Sequence, residues 1–111
     1  MYEFKKSDRL LKKSQYDHVF ANAKKIVTSN FIVLYRENTI GHARLGLALS
    51  KKAVPKAHDR NRIKRLLREA FRKTDLPAVD MIFLAKPRVS KVSNSEVLSN
   101  LGKIWPQLIQ C

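Results

Sequence analysis

Three histidines and nine acids are where a catalytic or metal-binding group would first be sought in these 111 residues. His18, His42 and His58 stand far apart and lack the short spacing that presents metal ligands. The acids, from Glu3 and Asp8 through Asp80 and Glu96, are scattered, with no cluster like the paired carboxylates of a two-metal nuclease. Three glycines make no phosphate loop. We expect no catalytic residue and no metal site in the protein. The residues that recur with a pattern are cations. In Lys51 to Lys73, KKAVPKAHDRNRIKRLLREAFRK, the apolar residues Ile63, Leu66, Leu67, Ala70 and Phe71 repeat as one helical stripe. Asn61, Arg65, Arg68 and Arg72 fall opposite it, Lys64 and Arg62 on the two flanks, and Arg60 near its edge. Such a helix buries one side and offers guanidinium forks on the others. Arg matches phosphate oxygens bidentately, so the chemistry is recognition of a polyanion.

The whole chain agrees. It carries 23 Lys and Arg against 9 Asp and Glu, a formal net charge of +14, while 44% of its residues are hydrophobic, enough for one core. The charge points to nucleic acid or an anionic surface. A membrane partner is disfavoured, because no apolar run approaches the ~20 residues that span a bilayer. Met1 to Asn22 does not read as a signal peptide, and the lone Cys111 fits a reducing, cytoplasmic setting.

The elements that must position these residues can be read in order. Residues 1–13 are expected as a flexible basic arm. Ser14 is expected to cap a helix over Gln15–Ala23, with Tyr16, Val19, Phe20 and Ala23 on one stripe. That stripe is open to two readings: core packing, or a platform on which unpaired bases stack. Lys25–Thr28 and Phe31–Arg36 read as strands, Phe31, Val33 and Tyr35 sharing one face and Ile32 and Leu34 the other. Glu37–Gly41 reads as a hairpin loop into a strand Ala43–Ser50. On that strand Leu45, Leu47 and Leu49 are bulky and the Gly46 side is nearly bare, which admits a close neighbour. Pro55 is expected at the first position of the basic helix. Asp80–Lys86 reads as a buried strand, parallel to the one before the helix. Ser93 and Glu96 have the capping-box spacing for a last helix, which Gly102 and Pro106 should kink or fray.

Ala57-His58-Asp59-Arg60-Asn61-Arg62-Ile63-Lys64-Arg65-Leu66-Leu67-Arg68 resembles the signature of the bacterial ribonuclease P protein subunit. Ser14-Gln15-Tyr16 through Val19-Phe20 resembles the family's aromatic first helix, with Tyr where Phe is usual. Arg44-Leu45-Gly46-Leu47 through Lys51-Lys52 resembles its strand and lysine pair. The resemblance covers roughly residues 8–105. It implies a single α+β domain, an α/β sandwich of order αβββαβα with a mixed four-stranded sheet. It also implies a left-handed crossover around the basic helix, against the usual right-handed rule.

The resemblance further implies a catalyst made of RNA with bound Mg²⁺, which removes the 5′ leader of precursor tRNA. The protein would bind no cofactor itself and would need no protein partner. Lys51, Lys52, Arg60, Asn61, Arg62, Arg65, Arg68 and Arg72 would contact the catalytic RNA. Tyr16, Phe20, Val33 and Tyr35 would line a cleft for the single-stranded leader, with Lys64, Arg60, Asn61 and Arg68 at its edge. A ribosomal or RNA-assembly protein shares the basic helix and lack of catalysts; the identity of the bound RNA separates the two. A DNA-binding module is tested by competition with duplex DNA.

Overall fold

The computed structural model describes residues 9, 10 and 12–109. The elements follow in the order α1 (Lys13–Ala21), β1 (Lys24–Val27), β2 (Phe31–Glu37), β3 (Arg44–Ala48), α2 (Ala57–Arg72), β4 (Val79–Ala85) and α3 (Asn94–Ile109). This is the expected αβββαβα order. The sheet runs β1-β2-β4-β3, with β1–β2 and β2–β4 antiparallel and β3–β4 parallel.

That strand order overturns the expected hairpin between β2 and β3. The two are not neighbours, because β4 lies between them. Turn residues do occupy the loop, and Gly41 has φ 88. What the loop does is cross the end of β4. Asn38 donates its backbone N–H to the Ala78 carbonyl at 3.0 Å and its carboxamide N–H to Asp80 at 2.9 Å. Asp80 is buried and takes a two-point bond from Arg44, Nε at 2.7 Å and Nη2 at 2.6 Å. The hydrogen bond to Asp80 holds the Arg44 guanidinium above its ordinary pKa, against the opposing effect of burial. A buried carboxylate is tolerable only when paired in this way, so β2's exit, β3 and β4 are tied at one point.

The sheet separates two apolar layers. Phe31, Val33, Leu45, Met81 and Phe83 pack with Ile63, Leu67 and Phe71 of α2 and with Leu101, Ile104 and Trp105 of α3. Phe83 meets Phe31 and Trp105 edge to face at 5.6 and 5.8 Å. The smaller layer, under α1, joins Leu10, Val19 and Ile82 with Tyr16, Leu34, Ala48 and Leu84 at its rim.

The crossover is left-handed. The Leu45 carbonyl accepts from the Leu10 N–H at 3.1 Å, and the Leu47 N–H donates to the Tyr16 hydroxyl at 3.3 Å, so both groups point away from β4. Both side chains lie in the layer under α2. In a rising strand of L residues, side chains toward the viewer go with amides and carbonyls to the right. Seen from α2, β4 therefore lies to the left of β3, and the path from β3 over α2 to β4 moves left, opposite to the usual sense.

Three local expectations are corrected. The segment before α1 is partly fixed: Arg9 bridges Leu45 and Leu10 is buried at 4% exposure, while residues 1–8 and 11 lie outside the described residues. Lys12, not Ser14, precedes the helix, and its N–H bonds the Gln15 side chain at 3.0 Å. Pro55 stands two residues before α2 rather than at its first position. The last helix does begin as its capping pattern indicates, with the Glu96 N–H on the Ser93 hydroxyl at 3.2 Å. It continues past Pro106 to Ile109 because Trp105 and Leu108 are both held in the core. Cys111 lies outside the described residues.

Candidate nucleic-acid interface

Helix α2 buries Ile63, Leu66, Leu67 and Phe71, the stripe read from the sequence, and so turns its cations outward. They are not equivalent. Asn61 and Arg65 are exposed, and Lys64, Arg68 and Arg72 are half-buried. Arg65, Arg68 and Arg72 line a groove of about 240 Å³ with Arg9 and Glu69. Four guanidinium groups around one open groove, offset by the single carboxylate of Glu69, have the chemistry to take phosphate oxygens.

Arg60 and Arg62, expected as RNA contacts, are already engaged. Arg60 donates Nη1 to the carbonyls of Val54 at 2.7 Å and Pro55 at 2.9 Å. Those carbonyls end the turn that carries Lys51 and Lys52, both exposed, and the turn is closed by the Val54 N–H on the Ser50 carbonyl at 2.9 Å. Arg60 thus fixes where the lysine pair stands relative to α2. Arg62 donates Nη1 to Asn94 at 2.6 Å and links α2 to the start of α3.

The aromatic stripe of α1 splits. Val19 is buried and Tyr16 half-buried, whereas Phe20 is 48% exposed. Tyr16 lies on Gly46, the bare position of β3. A Cβ there would stand 3.0 Å from Tyr16 Cε2 and 2.9 Å from Leu10 Cδ1, so a side chain at this position would push both aside. The same edge of β3 forms a groove of about 190 Å³ lined by Arg9, Leu10, Tyr16, Leu45, Leu47, Lys64 and Arg68. Tyr16, Lys64 and Arg68 are therefore brought together from α1 and α2, as expected.

Val33 and Tyr35 are not part of that groove. Val33 is 0% exposed in the layer under α2 and α3, and Tyr35 packs against the same layer. Residues alternate across a strand, and α1 covers the other face. The residues on the α1 face are Ile32 and Leu34. The pairing carries them into rows across the sheet: Val27, Ile32, Leu84 and Ala48 in one, Lys25, Leu34, Ile82 and Gly46 in the next. Arg36 bonds the His18 carbonyl at 2.8 Å on one flank of α1. At 100° per residue Phe20 lies on the other flank, toward the first row. That row is partly open, and Val27 is 56% exposed. An exposed ring beside a shallow apolar shelf can stack unpaired bases, and the nearby β3-edge groove supplies Lys64 and Arg68 for their phosphates.

The family model for ribonuclease P matches residues 4–109. The chain belongs to the ribonuclease P protein family. It is 60% identical over 111 residues to the ribonuclease P protein component of Legionella pneumophila (strain Corby), covering all of this chain and 97% of the relative. To the protein component from Escherichia coli O157:H7 it is 42% identical over 104 residues, 92% of this chain and 87% of the other. Among solved structures, the Staphylococcus aureus RNase P protein superposes with a TM-score of 0.85 at 28% identity, covering 94% of this chain and 99% of that one. The Thermotoga maritima RNase P protein does so with 0.79 at 26% identity, over 89% and 96%. Membership of this family gives it the role of a protein subunit that works with the ribonuclease P RNA in tRNA processing.

Leu34, Ile32, Leu84 and Ala48, which lie on the α1 face, were not among the cleft residues expected from the sequence. Both parities of β2 are apolar, so the sequence carries no signal for which of them α1 covers. Among the described residues, no group of three or more His, Cys, Asp or Glu side chains could hold a metal ion, and no helix is long and apolar enough to cross a membrane.

Proposed function

We propose that this ribonuclease P protein holds two RNAs on two surfaces, while the phosphodiester chemistry belongs to the catalytic RNA and its Mg²⁺. The α2 groove of Arg65, Arg68 and Arg72, with Arg9 beside it and the Lys51–Lys52 turn presented by Arg60, grips the catalytic RNA. The shelf beside Phe20 and Tyr16, with Lys64 and Arg68 at its border, holds the single-stranded 5′ leader of precursor tRNA. The observation that carries this reading is the meeting of Tyr16 with Lys64 and Arg68 in one groove at the β3 edge. It joins a base-stacking face to the phosphate-binding helix, so one strand of RNA can pass from one to the other. Assignment of the chemistry to RNA is supported by the dispersal of the acids and by the commitment of Asp80, the buried one, to Arg44 and Asn38. No protein partner is needed for this arrangement, and the expected setting is the cytoplasm.

The test is cleavage by rigorously RNA-free protein. The protein alone should leave precursor tRNA intact, and adding the catalytic RNA with Mg²⁺ should release the leader. Mg²⁺-dependent cleavage by the protein alone would contradict the assignment.

A further inference from the structure

At the far end of α1 from Tyr16 the β1–β2 ladder opens into a fork. Its last pair is Lys24 with Tyr35. Along an antiparallel ladder the next hydrogen-bonded pair falls two residues on, which would place Asn22 opposite Glu37. That pair does not form. Asn22 leaves α1 at φ −156 and ψ 61, and its N–H is taken by the Val19 carbonyl at 3.2 Å. On β2 the odd-numbered residues direct their amide and carbonyl toward β1, as the Thr28 N–H on the Phe31 carbonyl at 2.9 Å shows. Glu37 therefore aims one donor and one acceptor into the fork, with no strand opposite. The fork is an open groove of about 410 Å³ lined by Asn22, Ala23, Lys24, Tyr35, Arg36 and Glu37.

We propose that this fork is a binding site for one unpaired RNA base, separate from the shelf beside Phe20. The Glu37 N–H and C=O stand side by side, as the donor and acceptor on a base edge do, and the Asn22 carboxamide adds one of each. Tyr35 lies at the wall. Lys24 is exposed, and Arg36 is held in place by its bond to the His18 carbonyl at 2.8 Å, so two cations flank the base for its phosphates. A peptide strand extending the ladder would gain only one residue's pair, because β2 ends at Glu37. A base needs no more than that. Tyr16 and Asn22 at the fork are six residues apart along α1, roughly 9 Å of helical rise. A leader lying along it reaches both, so the proposal rests on the leader reading and extends it.

The experiment uses the full chain assembled with its catalytic RNA. Binding is measured for precursors whose leader is lengthened one nucleotide at a time, beside mature tRNA. The probes are Phe20→Ala and the double variant Asn22→Ala/Lys24→Ala, whose changes are at exposed positions; each variant's melting curve is compared with the parent. The parent's affinity should rise in two steps as the leader grows. Phe20→Ala should remove the earlier step, and the double variant only the later one, by about fivefold or more. An abasic nucleotide at the length where the later step appears should also abolish it. The fork proposal is overturned if no later step exists, if the abasic nucleotide is tolerated, or if the double variant weakens mature tRNA equally. Loss of the later step alone leaves the leader reading standing; absence of both steps removes that reading as well.

Discussion

Gly46 and Tyr16 show what single residues contribute. The Tyr16 hydroxyl accepts the Leu47 N–H on the outer edge of β3. Gly46→Ala should destabilise the fold by about 1–3 kcal/mol, since Leu10 and Tyr16 must both move for its Cβ. Urea unfolding checks this, and unchanged stability would mean that the ring and the arm do not rest on β3. The bare side of that strand was legible in the sequence as a place of close approach; that the neighbour is Tyr16 was not, because helix-to-strand docking is a long-range outcome. The Arg60-Asn61-Arg62 triplet was legible as a cationic signature. Its internal bonds were not, since helical angle places a side chain near an edge without saying which carbonyls lie within reach. Arg60→Ala should speed amide exchange in residues 50–56 and weaken RNA binding, with little change in salt dependence. An unprotected turn in the parent protein would contradict that role.

Among the elements, α2 was the most readable, because a 3.6-residue period fixes both its buried stripe and its cationic faces from local sequence alone. Arg65→Ala should flatten the salt dependence of binding to the catalytic RNA by roughly one phosphate contact, ~0.7–0.9 log units per log unit of salt. An unchanged slope in Arg65→Ala and Arg68→Ala alike would place the RNA surface elsewhere. Strand β2 was readable in its extent and alternation, but alternation does not say which face a helix covers. The resemblance put Val33 and Tyr35 in the expected cleft and alternation could not correct it; the α1 face carries Ile32 and Leu34 instead. The turn residues after β2 were real, yet turn chemistry sets a local bend and not the pairing partner, so β4 could enter between β2 and β3.

For the molecule as a whole, the sheet order is secured at Asp80, where the loop after β2 and the start of β3 both meet β4. Asp80→Ala should cost about 3–5 kcal/mol, because it leaves the Arg44 guanidinium half-buried without its partner. Replacing Arg44 and Asp80 together by apolar residues of similar size should restore part of that loss, and a double variant as unstable as the sum of the singles would show the two to be independent. The division of the protein into an α2 surface for the catalytic RNA and an α1 shelf for the leader is most directly tested at Phe20, which is exposed enough to be removed without opening the core. The measurement is the affinity of the assembled enzyme for precursor tRNA and for mature tRNA, with and without Phe20→Ala. The variant should bind the precursor more weakly by ~1–3 kcal/mol, roughly 5- to 150-fold, and bind mature tRNA as the parent does. Equal weakening for both tRNAs, or none for the precursor, would contradict a leader site on the α1 face.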